Sequence, residues 1–185
     1  AYSYALKCYE GKVRLTGDDL ITHSLNTAYI LANLNVDITT IVAALIHDVI
    51  NLCNKTPDEI EELFGSDVRI IVESLSKINK LELTSDEEEK AIYLRKVMVG
   101  LSEDVRVLYI KLACRLHNMR TNWAIKPLNQ SKKAMETESV LIPIAHRLGI
   151  NSIKSELENL CLYYTKPDVY NDILEKLNKS RDELN

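Results

Sequence analysis

The sequence lacks the long hydrophobic runs and the paired cysteines that mark membrane and secreted proteins. No apolar run reaches about 18 residues, so we expect no membrane span and no membrane partner. The start shows no signal-peptide pattern. The four cysteines form no CxxC pair and no short disulfide framework: Cys8, Cys53, Cys114 and Cys161. A reduced cytoplasmic setting is therefore expected.

An excess of positive charge is also missing. The formal net charge is -4, with 27% charged and 46% hydrophobic residues. Such a chain has no general attraction to polyanions, so we expect no direct nucleic-acid binding. The length of 185 residues is enough for one domain with a sizeable core.

Alternating strand patterns, repeats and low-complexity linkers are absent, and helix signals punctuate the chain instead. Residues 56–59, Thr-Pro-Asp-Glu, form a capping box with proline at the first helical position, and Gly65 closes that helix. Ser66 is expected to cap the next helix. Its apolar residues recur at spacings of three and four: Val68, Ile71, Val72, Leu75 and Ile78.

Further helices are predicted along the rest of the chain. A capping box at residues 85–88 opens one helix, and others are expected at 103–123, at 131–148 with a kink at Pro143, from Asn151 and from Pro167. The prediction is an all-α fold, with residues 1–185 as a single domain. Residues 173–185 are expected to begin a connection to a further, synthetase domain.

A His-Asp pair, His47 and Asp48, interrupts the apolar run at residues 43–53. Burying an ionisable pair is costly unless a hydrogen-bond network or a metal ion compensates it. The dipeptide alone favours a hydrogen-bonded structural histidine. His23, on an earlier helical stretch, supplies a third potential metal ligand.

A second polar pattern lies on the predicted helix at 103–123. Cys114, Asn118 and Thr121 follow the spacing i, i+4, i+7 and so form one stripe. The stripe indicates either hydrogen bonding between helices in the core or the wall of a ligand pocket.

The chain resembles the hydrolase domain of RelA/SpoT proteins, which make and degrade the guanosine alarmones ppGpp and pppGpp. Residues 111–121, KLACRLHNMRT, are similar to the family's KLADRLHNMRT. Residues 145–150 match its AHRLGI, and residues 11–17, GKVRLTG, resemble its GQxRxSG. The resemblance implies an HD-domain-like helical bundle with one manganese ion, in which a Glu-Asp pair after the HD serves the catalytic water.

Carried over by position, the resemblance implies two sets of site residues. The metal ligands would be His23, His47, Asp48 and, in place of an aspartate, Cys114. The nucleotide would contact Arg14, Thr16, Asn118 and Thr121.

The chain departs from the family where hydrolysis needs a base. The family's HDVVEDT is HDVINLC here, so Asn51 and Leu52 stand at the catalytic Glu-Asp positions, which we expect to face the metal. Neither side chain accepts a proton from water at pH 7, so no catalytic residue is expected. Cys114 should weaken manganese and favour zinc, because manganese prefers oxygen ligands.

The resemblance therefore implies a hydrolase-like domain with little hydrolysis, which regulates a GTP pyrophosphokinase (alarmone synthetase) domain of the same polypeptide. Its retained ligands would be relics held by hydrogen bonds or a weak metal site, and an alarmone is the expected small-molecule partner. Two alternatives stay open: an active metal-dependent (p)ppGpp 3′-pyrophosphohydrolase with an altered shell, and a structural or dimerisation domain.

Overall fold

Helices make up almost all of the regular structure. The computed structural model describes residues 1–79 and 104–183, and the all-α prediction is confirmed. The chain divides into two compact units, Ala1–His117 and Asn118–Asn185; the single-domain assignment stays a prediction. Among the described helices, none is long and apolar enough to cross a membrane.

The first unit is built on α3, which packs against α1, α2 and α6, while α4 packs on α1 and α6, and α5 packs on α6. Ala43 and Ala44 are fully buried, and these small side chains let the neighbouring helices approach α3 closely. The helices are α1 Tyr2–Cys8, α2 Leu20–Ala32, α3 Ile38–Ile46, α4 Val49–Cys53, α5 Pro57–Phe64, α6 Ser66–Asn79 and α7 Arg106–Arg120, the last of which continues into the second unit.

The helix α5 begins and ends where the sequence predicts. The Thr56 hydroxyl accepts a hydrogen bond from the Glu59 backbone N–H at 3.2 Å, and the Glu59 carboxylate accepts one from the Thr56 N–H at 2.9 Å. These two bonds complete the predicted capping box. Gly65 ends the helix with φ +90°, a backbone conformation that favours glycine.

The helix α6 buries the whole apolar stripe that the spacing predicts. Its five members are at most 3% exposed: Val68, Ile71, Val72, Leu75 and Ile78. One detail differs, because Ser66 is the first helical residue and not the residue before the helix. The Gly65 carbonyl already accepts a hydrogen bond from the Arg69 N–H at 3.1 Å.

The helix α3 positions the His-Asp pair. Asp37 caps its N-terminus, where the carboxylate accepts hydrogen bonds from the Thr40 backbone N–H at 3.0 Å and the Thr40 hydroxyl at 2.6 Å. His47 is the residue that follows its last turn. The chain leaves the α-helical region at Asp48, with φ -103° and ψ 1°, and then starts the short helix α4.

The second unit is arranged around α10. That helix packs against α8, α9 and α11. The elements are a 3₁₀ turn at Asn122–Ala124, α8 Pro127–Glu136, a π turn at Thr137–Leu141, α9 Ile142–Arg147, α10 Asn151–Thr165 and α11 Pro167–Glu183. The π turn ends just before Ile142, and Pro143 follows as the second residue of α9, so the predicted helix at 131–148 is interrupted near a proline that cannot donate a backbone hydrogen bond.

Two predicted features fall partly or wholly outside the described residues. The helix expected from the capping box at residues 85–88 lies outside them, as does the predicted helix start at residue 103. The described part of that second helix, α7, starts at Arg106, whose backbone N–H donates to the Asp104 carboxylate at 2.8 Å.

Candidate metal centre

His47 presents one ring nitrogen to a cluster of donors. Its Nδ1 lies 2.7 Å from the Ala44 carbonyl oxygen, an acceptor only, so this nitrogen carries the proton. The other nitrogen, Nε2, lies 3.1 Å from Oδ2 of Asp48 and 3.4 Å from Sγ of Cys114. Because the side chain is only 2% exposed, these contacts are shielded from water.

Cys114 enters the cluster from α7 and is buried. The hydroxyl of Thr27, on α2, lies 3.8 Å from its sulfur and donates to the His23 carbonyl oxygen at 2.9 Å. A small polar residue in α2 thus lets α7 bring its thiol near the two histidines.

His23 pairs with a histidine that the sequence analysis did not single out. Nδ1 of His23 lies 2.8 Å from Nδ1 of His117, and both side chains are buried. The ring of His23 also meets the ring of His47 edge-on, with centroids 5.3 Å apart. Two sequence signals mark His117: it lies inside the motif at residues 111–121, and it follows Cys114 by three residues, which places both on one side of a helix.

Three residues can share one ion. Ligand atoms of His23, His47 and Cys114 all lie within 4.8 Å of one another. Among the described residues this group does not include Asp48, whose carboxylate instead lies against His47. The structure therefore gathers three of the four predicted metal ligands and keeps the fourth beside one of them.

The donor set fits zinc better than manganese. Two imidazoles and one thiol are ligands that zinc takes, whereas manganese prefers carboxylate and carbonyl oxygens. Zinc–sulfur and zinc–nitrogen bond lengths place two tetrahedral ligands about 3.5 Å apart. The observed separation between Cys114 Sγ and His47 Nε2 is 3.4 Å.

Burial and neighbouring charges shift the pKa values of the cluster in different directions. Burial, then the charges of His47 and Arg14, lower the pKa of His23 well below its usual value. Burial alone would lower the pKa of His47, but Asp48 and then Cys114 raise it well above the usual value. Burial alone would raise the pKa of Asp48, but the neighbouring His47 holds it far below its usual range. Without an ion, His47 and Asp48 therefore form a charged pair.

The two positions that carry the Glu-Asp pair in the resembled family make other contacts here. The side-chain oxygen of Asn51 accepts a hydrogen bond from the Ser76 hydroxyl of α6 at 2.6 Å. Leu52 is 44% exposed, whereas the three metal donors are buried. Neither position supplies a carboxylate to the cluster.

The predicted nucleotide contacts fall in two places. Arg14 and Thr16 lie in the loop between α1 and α2, and burial lowers the pKa of Arg14 although Asp18 and Cys114 act to raise it. Asn118 and Thr121 belong to the second unit. The Thr121 hydroxyl donates to the Asn118 carbonyl at 3.4 Å. Their part in nucleotide binding stays a prediction.

The fold and the histidine cluster agree with a match to a family model. The chain belongs to the HD domain family, whose model matches residues 1–151. More narrowly, it is an HD domain of the RelA/SpoT type, and the resemblance stated from the sequence is confirmed.

Similar proteins carry RelA/SpoT names. A GTP pyrophosphokinase of Myxococcus xanthus is 39% identical over 186 residues, covering 99% of this chain and 25% of that protein. The bifunctional (p)ppGpp synthase/hydrolase SpoT of Escherichia coli K12 is 41% identical over 181 residues, covering 98% of this chain and 26% of that protein. The chain thus spans about a quarter of the length of these relatives.

A solved structure shows the same fold. It belongs to a metazoan ortholog of SpoT, described as hydrolysing ppGpp and acting in starvation responses. The TM-score is 0.69, with 20% sequence identity, and the match covers 86% of this chain and 90% of the other.

Proposed function

We propose that this chain is a hydrolase-like domain of guanosine alarmone metabolism that does not remove the 3′ diphosphate from ppGpp. The observation that carries the proposal is the pair Asn51 and Leu52 directly after the His-Asp motif. Attack by water on a phosphate needs a group that takes the water's proton. The Asn51 amide is not basic enough to take that proton at pH 7, and its oxygen already accepts a hydrogen bond from Ser76. The Leu52 side chain has no polar atom.

The contacts of α4 support this assignment. Asn51 accepts the Ser76 hydroxyl, so its side-chain oxygen serves the packing of α4 on α6. Leu52 is partly exposed. General base catalysis typically contributes about 10²–10⁴-fold to a rate, so its loss alone would leave little turnover.

The retained cluster is proposed to bind zinc in preference to manganese. His23 and His47 would supply imidazole nitrogens and Cys114 a thiolate, and a bound ion would stabilise the cluster by replacing protons. Its chemistry when bound would be that of a Lewis acid. Arg14, whose charge acts on both Cys114 and His23, would attract an anionic alarmone to the cluster.

The proposed role is regulation of an alarmone synthetase in the same polypeptide. Support comes from the relatives, which are about four times as long as this chain and are named as GTP pyrophosphokinases or as a bifunctional synthase/hydrolase. In a polypeptide that contains both domains, His47→Ala is expected to change the rate of pyrophosphate transfer from ATP to GTP.

The deciding experiment measures diphosphate release from ppGpp, with manganese and then with zinc. It compares the wild type with a variant that carries Asn51→Glu, Leu52→Asp and Cys114→Asp together. Cys114→Asp alone is the matched control, because it restores a metal ligand and leaves the base positions unchanged.

We expect no release by the wild type or by Cys114→Asp, and manganese-dependent release by the triple variant. Metal-dependent release by the wild type would contradict the proposal and favour an active hydrolase with an altered shell. Absence of both metal and guanine-nucleotide binding in the wild type would favour a structural domain.

A further inference from the structure

His117 is a buried histidine that contacts the cluster but lies outside the proposed group of metal ligands. We propose that it is a positioning residue, which accepts a hydrogen bond from Nδ1 of His23 and so turns the Nε2 lone pair of His23 toward the ion. The proposal rests on the metal site proposed above and deepens it. The helix α7 would then supply both the ligand Cys114 and the residue that orients His23.

The contact between the two rings requires one proton between them. Their Nδ1 atoms are 2.8 Å apart, a hydrogen-bond distance. A neutral imidazole has one protonated and one unprotonated nitrogen, so one ring donates at Nδ1 and the other accepts. The donor ring keeps its lone pair on Nε2, and the acceptor ring keeps its proton there.

The proposed direction of this hydrogen bond follows the example of His47. His47 donates from Nδ1 to the Ala44 carbonyl, which leaves Nε2 for Cys114 and the ion. If His23 donates from Nδ1 in the same way, both histidines present Nε2 as the ligand atom. In the opposite direction, Nδ1 of His23 would be occupied as an acceptor and Nε2 would carry a proton, so His23 could not bind the ion.

The arrangement matches how ligand histidines are held elsewhere. A metal-bound imidazole usually donates its second N–H to an acceptor, which fixes the ring and makes the ligand nitrogen more basic. Here that acceptor comes from the helix that carries the thiol ligand, three residues further on. A displacement of α7 would therefore disturb two ligands at once.

The test compares two substitutions of His117. His117→Phe keeps a ring of similar size and removes the acceptor, whereas His117→Asn keeps a side-chain oxygen that can accept from Nδ1 of His23. His146→Phe, at an exposed histidine of the second unit, is the control for the same chemical change. Zinc affinity is measured by competition with a chelator, and the thiolate–metal absorption of the cobalt-loaded protein reports the site directly.

We expect His117→Phe to weaken zinc binding by about 10–100-fold, the usual cost of removing an outer-shell partner. His117→Asn should recover most of the affinity, and His146→Phe should match the wild type. Thermal unfolding of the metal-free variants separates this effect from loss of fold. Zinc binding by a folded His117→Phe as tight as that of the wild type would overturn the proposal.

A second measurement needs no metal. In the metal-free protein, nitrogen NMR of the histidine side chains should show His23 protonated at Nδ1 and His117 protonated at Nε2. The reverse pattern would overturn the proposal. If the wild type binds neither zinc nor cobalt, the proposed metal site is wrong and the positioning role of His117 fails with it. If the wild type binds zinc but the tautomers are reversed, only the role of His117 fails.

Discussion

The helices α3 and α4 follow each other in the chain, yet they hold opposite halves of the expected hydrolase site. α3 is capped by Asp37, is nine residues long and delivers His47 into the buried cluster. α4 is five residues long, has no side-chain cap hydrogen bond at Asp48 and exposes nearly half of Leu52. The metal donors are buried among packed side chains. At the two positions where the family has carboxylates, Leu52 is exposed to solvent and Asn51 is hydrogen-bonded to the Ser76 hydroxyl.

This difference indicates that substitutions in the buried cluster and substitutions in α4 change the free energy of unfolding by different amounts. A change in the buried cluster removes a charged, hydrogen-bonded neighbour from an ionisable group that is largely shielded from water. A change at the exposed Leu52 leaves the fold almost untouched, and a change at Asn51 costs one hydrogen bond. Loss of hydrolysis through α4 is therefore compatible with a stable domain.

The largest expected effect is on stability at the end of α3. His47→Ala should lower the free energy of unfolding by about 3 kcal/mol, because Asp48 loses its buried partner. Leu52→Ala should change it by no more than about 0.5 kcal/mol. Urea unfolding of the metal-free proteins measures both, and equal losses would remove the distinction between the two helices.

The next effect concerns metal preference. Cys114→Asp should lower zinc affinity and raise manganese affinity, because a carboxylate replaces the thiolate. Since outer-shell changes already cost about 10–100-fold, replacement of a direct ligand should cost at least that much in zinc affinity. Cys161→Ala, at a buried cysteine of the second unit, is the control.

Titration with each metal measures this preference in both variants. An unchanged ratio of zinc affinity to manganese affinity in Cys114→Asp would show that the thiol does not bind the ion. A similar change of that ratio in Cys161→Ala would show that the effect does not come from the cluster.

A smaller effect is expected at Asn51. Asn51→Ala should cost about 1 kcal/mol, because the buried Ser76 hydroxyl loses its acceptor. Asn51→Asp keeps an acceptor oxygen and should cost less. Unfolding experiments on both variants test whether this position now serves packing, and equal stability of Asn51→Ala and wild type would contradict it.

Much of the helical framework follows from local chemistry in the sequence. The capping box at Thr56 predicts α5, and the spacing of the apolar residues predicts the buried face of α6, because both depend on neighbours within two turns. The π turn before Pro143 was predicted only as a kink. A proline shows where the hydrogen-bond ladder breaks, but packing determines how the chain recovers.

The sequence identifies three side chains that the structure brings together, but not how they are arranged. Motifs identify His23, His47 and Cys114, whereas the contact between His23 and His117 joins residues 94 positions apart. A pattern of spacings within a few helical turns cannot predict a contact between residues so far apart in the chain. The same limit explains why Asn51 could be predicted to lack a base but not to bond Ser76.

An effect of similar size to that at Asn51 is expected at the start of α3, where Asp37 caps the helix. Asp37→Ala should cost about 1 kcal/mol at pH 7, the usual value of an N-cap. Burial acts to raise the pKa of Asp37, but the hydrogen bonds from Thr40 and then the charge of Arg106 leave it below its usual value. The charged cap is therefore the stabilising form.

The sign of this shift fixes the pH dependence. A carboxylate with a lowered folded pKa contributes its full stability above its unfolded pKa, about 4, and loses it as the pH falls through the lower folded value. The stability difference between wild type and Asp37→Ala should therefore be constant from pH 7 to pH 5 and shrink below pH of about 4. A difference that persists at the lowest pH would mean that Asp37 supports α3 through its packing, and that the end of α3 at His47 does not depend on a charged cap.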